Sequence, residues 1–362
     1  MHLIESMAYA GATPWHTLGN PVSNDLSPEE MAKAAQCDWP VAKCPIYVNG
    51  WDGAMQQTGL SVISSDAFDT IPDRFALRRM SDGKVLDIVG SQYQPVQNVE
   101  ALQFFTEFVS AGDMKMETAG SLEGGHRVWG LASIQDGFTL AGGDRVEGYL
   151  LLCNPHRQGE AFTIKFTPVR VVCHNTITMA LNGGGATFRM SHANRFDAAM
   201  QEQAKTALGL ATKRLREFEE KATMLSTTRV CGQSQLVEYV SVLSGSMVVE
   251  AAIAEAEATS LVDAMVAESE GREKVREARA TRPEDFNRAG KMILDAILES
   301  PGADLPSTRG TWWGAVNGVT YAVDHLMGRT DDTRLTNAWF GPRAALKQQA
   351  VELAVQYASA AR

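Results

Sequence analysis

The chain has 362 residues, long enough for one large domain or two ordinary ones, and 44% of them are hydrophobic while 21% are charged, the composition of a globular protein. Lys and Arg number 33 against 43 Asp and Glu, a net charge of −10 that argues against a surface coated in nucleic acid but leaves room for a local basic groove. Five cysteines without CxxC spacing exclude a disulfide scaffold or a structural zinc site, and no apolar run reaches the 18 residues of a membrane span.

The opening residues Met1-His2-Leu3-Ile4-Glu5 lack the basic and apolar parts of a signal peptide, so a cytoplasmic protein is expected. The first fifty residues hold turn and helix-start signals. Asn24 or Ser27 is placed to cap a short helix with Pro28 in its first turn. Around Thr13-Pro14-Trp15-His16 the chain reads as irregular, with its Trp packed on the body of the fold.

From about residue 60 to 175 the pattern is mainly β. Apolar runs at 75–79 and 84–89 flank the hairpin turn Ser81-Asp82-Gly83. Asn98 reads as the cap of a helix carrying Leu102, Phe105 and Phe108 and ending near Gly112. Strands follow at 115–122, 127–134, 146–154 and 160–173. Tight turns and the order β-β-α-β-β-β-β predict an α+β fold with an antiparallel sheet and packed helices over 1–190. In the last strand Phe162, Ile164 and Phe166 are apolar at even positions, but Val169, Val171 and Cys173 at odd ones. A period-2 strand cannot keep both sets on one face, which predicts a bulge or bend at Pro168.

Beyond 190 the pattern is helical, so 191–362 is expected to be a long-helical region that packs on the sheet domain or drives oligomerisation. One helix over 194–226 would be about 50 Å long at the α-helical rise, with others at 234–267, 284–299, 312–327 and 341–359. Residues 250–285 hold ten acids against five bases, a solvated helical arm.

The residues that point to chemistry lie at the junction Thr167-Pro168-Val169-Arg170-Val171-Val172-Cys173-His174-Asn175-Thr176. Asn175 is expected to cap a short helix that stops at Gly183-Gly184-Gly185. Between 156 and 195 the bases Arg157, Lys165, Arg170, Arg189 and Arg195 face one acid, Glu160. A helix N-terminus in a basic setting is an anion site. Arg170, His174 and Asn175 would hold a phosphate, and Lys165, Arg189 and Arg195 would extend the track along a strand backbone. The competing reading pairs Arg170 with an internal carboxylate and leaves the other bases as surface charges.

Other constellations carry less. Cys173 and His174 are neighbours on a strand and point to opposite faces, which removes the nucleophile–base reading. The histidines lack metal-ligand spacing, and the glycine runs lack the phosphate-cradle motifs. No cofactor is expected. Trp312-Trp313 and Trp339-Phe340 read as core or subunit contacts, with base stacking as the alternative.

Several stretches together resemble a phage/plasmid-like family of unknown function: Pro14-Trp15-His16-Thr17-Leu18-Gly19, Tyr93-Gln94-Pro95-Val96-Gln97-Asn98, Glu117-Thr118-Ala119-Gly120-Ser121-Leu122, the junction above, Thr311-Trp312-Trp313-Gly314-Ala315-Val316-Asn317, Tyr321 and Val323-Asp324-His325. That resemblance implies a mobile genetic element but no reaction. A more distant one, sheet hairpins feeding a basic helix junction, is to the RecT/Redβ/Erf single-strand annealing superfamily. It implies a homo-oligomeric ring or filament that holds single-stranded DNA. The expected function is therefore non-enzymatic DNA annealing by backbone capture. The alternative is a phage or plasmid interaction protein that docks on a host factor through its acidic helical half.

Overall fold

The computed structural model describes residues 4–11, 19–49, 68–170, 175–176, 187–208, 211–245, 286–328 and 342–360. The expectations placed on Trp15, Cys173, His174, the glycines at 183–185, the acidic stretch 250–285 and Trp339-Phe340 lie outside these residues.

Eleven strands are described: β1 (Ile4–Ala10), β2 (Asn20–Val22), β3 (Val41–Asn49), β4 (Phe68–Arg79), β5 (Val85–Gly90), β6 (Met114–Leu122), β7 (Arg127–Leu140), β8 (Asp144–Pro155), β9 (Ala161–Arg170), β10 (Asn175–Thr176) and β11 (Thr187–Ser191). The larger sheet has the order β10-β9-β8-β7-β6-β1-β2, with β11 also beside β9. A second sheet is the three-stranded meander β3-β4-β5. The helices are α1 (Pro28–Ala34), α2 (Asn98–Gln103), α3 (Thr106–Ala111), α4 (Ala198–Leu208), α5 (Ala211–Thr227), α6 (Gln233–Ser244), α7 (Arg288–Glu299), α8 (Trp312–Tyr321) and α9 (Pro342–Ala360), with a π-turn over Ala322–Leu326 after α8. The fold mixes α and β with antiparallel pairing, as the pattern predicts; one parallel pair, β1 with β2, departs from it. No helix among the described residues is long and apolar enough to cross a membrane.

The chain forms two compact units that interleave in sequence. Unit 1 comprises Met1–Ser133, Leu150–Lys165 and Thr187–Gly209, and unit 2 comprises Ile134–Tyr149, Phe166–Ala186 and Leu210–Arg362. The cuts fall within β7, β8 and β9, so each of these strands contributes a segment to both units.

In unit 1 local chemistry sets the ends of the elements. Ser27 caps α1 in a capping box: its hydroxyl accepts from Glu30 N–H, and the Glu30 carboxylate accepts from Ser27 N–H at 2.8 Å. The Ser81-Asp82-Gly83 turn closes the β4–β5 hairpin, with Gly83 at φ +76 and Asp82 holding Arg79 at 2.6 Å. The predicted helix from 98 to 112 is two short ones, α2 and α3, and it ends on Gly112 at φ +81. Asn98 is not its cap. Gln97 holds that position, and its side-chain amide instead exchanges two 2.9 Å hydrogen bonds with the Val41 backbone at the edge of β3.

In unit 2 the β7–β8 hairpin tip meets the loop before α8. Asp144, fully buried, accepts hydrogen bonds from Ser307 Oγ at 2.8 Å and Trp313 Nε1 at 2.9 Å. The residues Trp312 to Thr320 are buried on every side of α8, the signature of a core helix. Trp312 stacks on Tyr357 at 5.0 Å, and Phe218 bridges Phe138 and Trp313. Within the helix expected over 194–226 the structure describes α4 and α5, starting at Ala198, and the one expected over 234–267 ends as α6 on Gly245 at φ +63. α8 and α9 begin within a residue of their predicted positions, α7 begins at Arg288 rather than 284, and the α8 stretch turns to π-geometry at Ala322.

Candidate nucleic-acid interface

β11 pairs antiparallel with β9, placing Thr187 opposite Lys165, Phe188 opposite Ile164, Arg189 opposite Thr163 and Met190 opposite Phe162. Phe162, Ile164 and Met190 are buried, so the even positions of both strands form the core face. The odd positions therefore share the other face, where Lys165 and Arg189 are diagonal neighbours across the pair, within reach of one extended ligand. Arg189 is exposed and Lys165 half-buried.

The segment after β11 is pinned at two points. His192 stacks on Tyr93 at 4.5 Å, and its Nδ1–H donates to the Gln94 carbonyl at 3.1 Å. Phe196 packs its ring 4.5 Å from Phe162. Asp197 caps α4 by accepting from Met200 N–H at 3.0 Å. Arg195, between these anchors, is held exposed on a fixed corner. Among the described residues neither Arg189 nor Arg195 has an ion-pair partner. Three of the predicted contact residues, Lys165, Arg189 and Arg195, thus belong to one unit, and Lys165 and Arg189 are neighbours within it.

Arg170, His174 and Asn175 belong to the other unit. The structure corrects the reason for choosing Asn175. Asn175–Thr176 is a strand paired antiparallel with Val169–Arg170, Asn175 lying opposite Arg170, so Asn175 does not cap a helix and the helix-terminus anion site is withdrawn. The side chains of Arg170 and Asn175, and all of His174, lie outside what the structure describes. Phe166, Thr167 and Pro168 are consecutive buried residues, so the phase change in β9 accompanies burial of both faces of the strand. No register shift occurs in the β9 ladders with β10 and β11.

The basic island is also smaller than the count of bases implies. Arg157 lies 2.6 Å from Glu123 and 3.8 Å from Glu160, and Arg127 binds the same two carboxylates, each at 2.6 Å. These four side chains neutralise one another. Glu123 holds this position with a left-handed backbone, φ +54.

Sequence reasoning missed a buried polar network in the same unit. The Asn98 Oδ1 accepts from His156 Nε2–H at 2.8 Å and from Asn154 Nδ2 at 3.0 Å, while its Nδ2 donates to the Trp39 carbonyl at 3.3 Å. Tyr93 Oη donates to the Pro155 carbonyl at 3.2 Å. His156 has no exposed surface, and burial pulls its pKa down to about 3, so it stays neutral. The one sequence signal was the Tyr93-to-Asn98 stretch, whose polar residues supply this network.

Burial pushes the Cys37 and Cys153 thiols up to about 12, far from a reactive thiolate. Trp312 and Trp313 have no exposed surface, so neither is available to stack a base.

A family model for a domain of unknown function, DUF932, matches residues 85–339. The chain belongs to the DUF932 family. The matched span takes in β5 to β11, both halves of the basic set and α8, so the candidate interface of this DUF932 protein lies within the family domain. No curated protein and no solved structure shows a significant match.

Proposed function

We propose that this DUF932 protein binds single-stranded DNA and promotes annealing of complementary strands, in recombination or replication of a phage or plasmid in the bacterial cytoplasm. The observation that carries the reading is two exposed arginines with no ion-pair partner among the described residues: Arg189, beside Lys165 on the β9–β11 face, and Arg195, on the segment that follows β11. A phosphate backbone is the ligand that such a row of cations fits, and capture by the backbone leaves base edges free to pair. The mobile-element assignment rests on the sequence resemblance, and the annealing role on a fold-level analogy. Copies assembled in a ring or filament would lengthen the track, since three cations alone bind weakly.

The test is a labelled oligonucleotide titrated with protein at 50 mM salt, together with the rate at which complementary strands pair. Binding that weakens with salt, and pairing faster than in buffer, are expected. Absence of both at micromolar protein overturns the proposal. Arg189→Ala combined with Arg195→Ala should lower affinity about uniformly across sequences and reduce the salt slope by roughly 0.7 for each lost phosphate contact.

A further inference from the structure

α9 is buried in unit 2 along a stripe of Lys347, Ala350, Val351, Ala354 and Ala358. Four of these are the small apolar residues that a helix seam calls for. Lys347 is the exception. Its side chain is wholly buried, and its Nζ lies 2.8 Å from the Oδ1 of Asp324, a side chain only 7% exposed. Asp324 belongs to the π-turn over Ala322–Leu326, a rare geometry that in helices frequently marks a functional position. It lies within the span matched by the family model, which ends at residue 339, whereas α9 begins beyond that span at Pro342.

The pair is clamped on both sides. Arg343 donates to the Met327 carbonyl just past the π-turn, and Met327 N–H donates to the Ala322 carbonyl at 2.8 Å. Farther along α9, Tyr239 Oη donates to the Ala350 carbonyl at 3.0 Å, and Tyr357 stacks on Trp312 at 5.0 Å. An amine and a carboxyl group fixed in contact react as if each met the other at an effective concentration of about 10⁵–10⁸ M. Burial acts in the same direction. Two charges shut off from water are poorly solvated, so passing the proton from the ammonium to the carboxylate, which leaves two neutral groups, costs little. Burial also pulls the Lys347 ammonium down. The neutral amine is the nucleophilic form of lysine.

We propose that Lys347 and Asp324 condense into an isopeptide bond, a covalent modification that staples α9 to the DUF932 domain. The Lys347 Nζ lone pair attacks Asp324 Cγ. The Nζ–Cγ bond forms, the bond from Cγ to one carboxyl oxygen breaks, and that oxygen leaves as water with two of the three ammonium protons. The third proton stays on the amide nitrogen, and the step needs no oxidant or cofactor. The same exclusion of water that favours condensation opposes hydrolysis of the product. The cross-link closes the chain from 324 to 347 into a loop and restrains the unfolded state, as a disulfide does. This bond stands independently of DNA binding.

Mass spectrometry of the full chain tests it. The intact protein should be lighter than its sequence by one water. Lys347→Arg, which keeps the charge but not the primary amine, should show no such deficit, with circular dichroism to establish that it folds. After digestion by trypsin in denaturant, the peptide 310–329 should remain joined to 344–362, with no cut after Lys347. The joined peptides keep the test decisive even where the variant fails to fold. A wild-type mass equal to that of its sequence overturns the proposal. So does a deficit of one water without the joined peptides, since an aspartate can also lose water by closing on its own backbone.

Discussion

His156 sits with no exposed surface, its Nε2–H committed to Asn98 and its ring beside Trp39 at 5.4 Å. The charged form has nowhere to be solvated, and His192 and His126 add unfavourable charge to it, which is why its pKa falls to about 3. An unfolded histidine takes up a proton near pH 6.5. Between those values the unfolded chain binds a proton that the folded chain refuses, so stability declines as pH falls below about 6.5, by about 1.4 kcal/mol per pH unit from this site. Urea midpoints between pH 7 and pH 4 should show that decline, and His156→Gln should flatten it while retaining a donor to Asn98. Parallel pH profiles for the two proteins would mean that His156 is not the linked group. Lys347 is the counterpart in unit 2: wholly buried, it lies 2.8 Å from Asp324, which is itself only 7% exposed. Burial pulls the ammonium down while Asp324 pulls it back up. Lys347→Met leaves a carboxylate buried opposite a thioether, expected to cost about 3–5 kcal/mol in a denaturant melt, and adding Asp324→Asn should recover much of that loss.

At the scale of elements, what was legible in the sequence was what is decided within a few residues. The Ser27–Glu30 capping box spans three positions, the Asp82–Gly83 turn is held by the Arg79–Asp82 pair, and α7 starts on the Asn287 cap next to it. β1 was not legible because Met7, Ala8, Tyr9 and Ala10 are all buried, leaving no alternation to read. Asn98 looked like a cap because a polar residue before an apolar run usually is one; its partners lie 56 to 59 residues away. Arg157 was counted among free bases for the same reason, since Glu123 is remote in sequence. The site was legible as residue types and only partly as geometry: Lys165 and Arg189 were named, but the pairing that makes them neighbours depends on β11, which no local signal marks. The α7–α8 crossing is another non-local decision. A Cβ on Gly318 would fall 2.3 Å from Ile297 Cγ1 and 2.5 Å from its Cα, too close for a side-chain shift alone to relieve. Gly318→Ala should therefore force the helices apart and cost at least 2 kcal/mol or so in a chemical melt, outweighing the gain in helix propensity of up to about 1 kcal/mol.

At the scale of the whole molecule, the proposed function asks a chain of net charge −10 to hold a polyanion. Binding is governed by local field, and it is Lys165, Arg189 and Arg195 that face the ligand in the proposed mode. Three phosphate contacts predict a salt slope near −2 for one copy, from about −0.7 per neutralised phosphate on a single strand. Fluorescence anisotropy from 50 to 200 mM salt measures the slope, and Arg189→Ala with Arg195→Ala should bring it to about −0.7. A wild-type slope indistinguishable from zero would mean that no phosphate is captured at these cations.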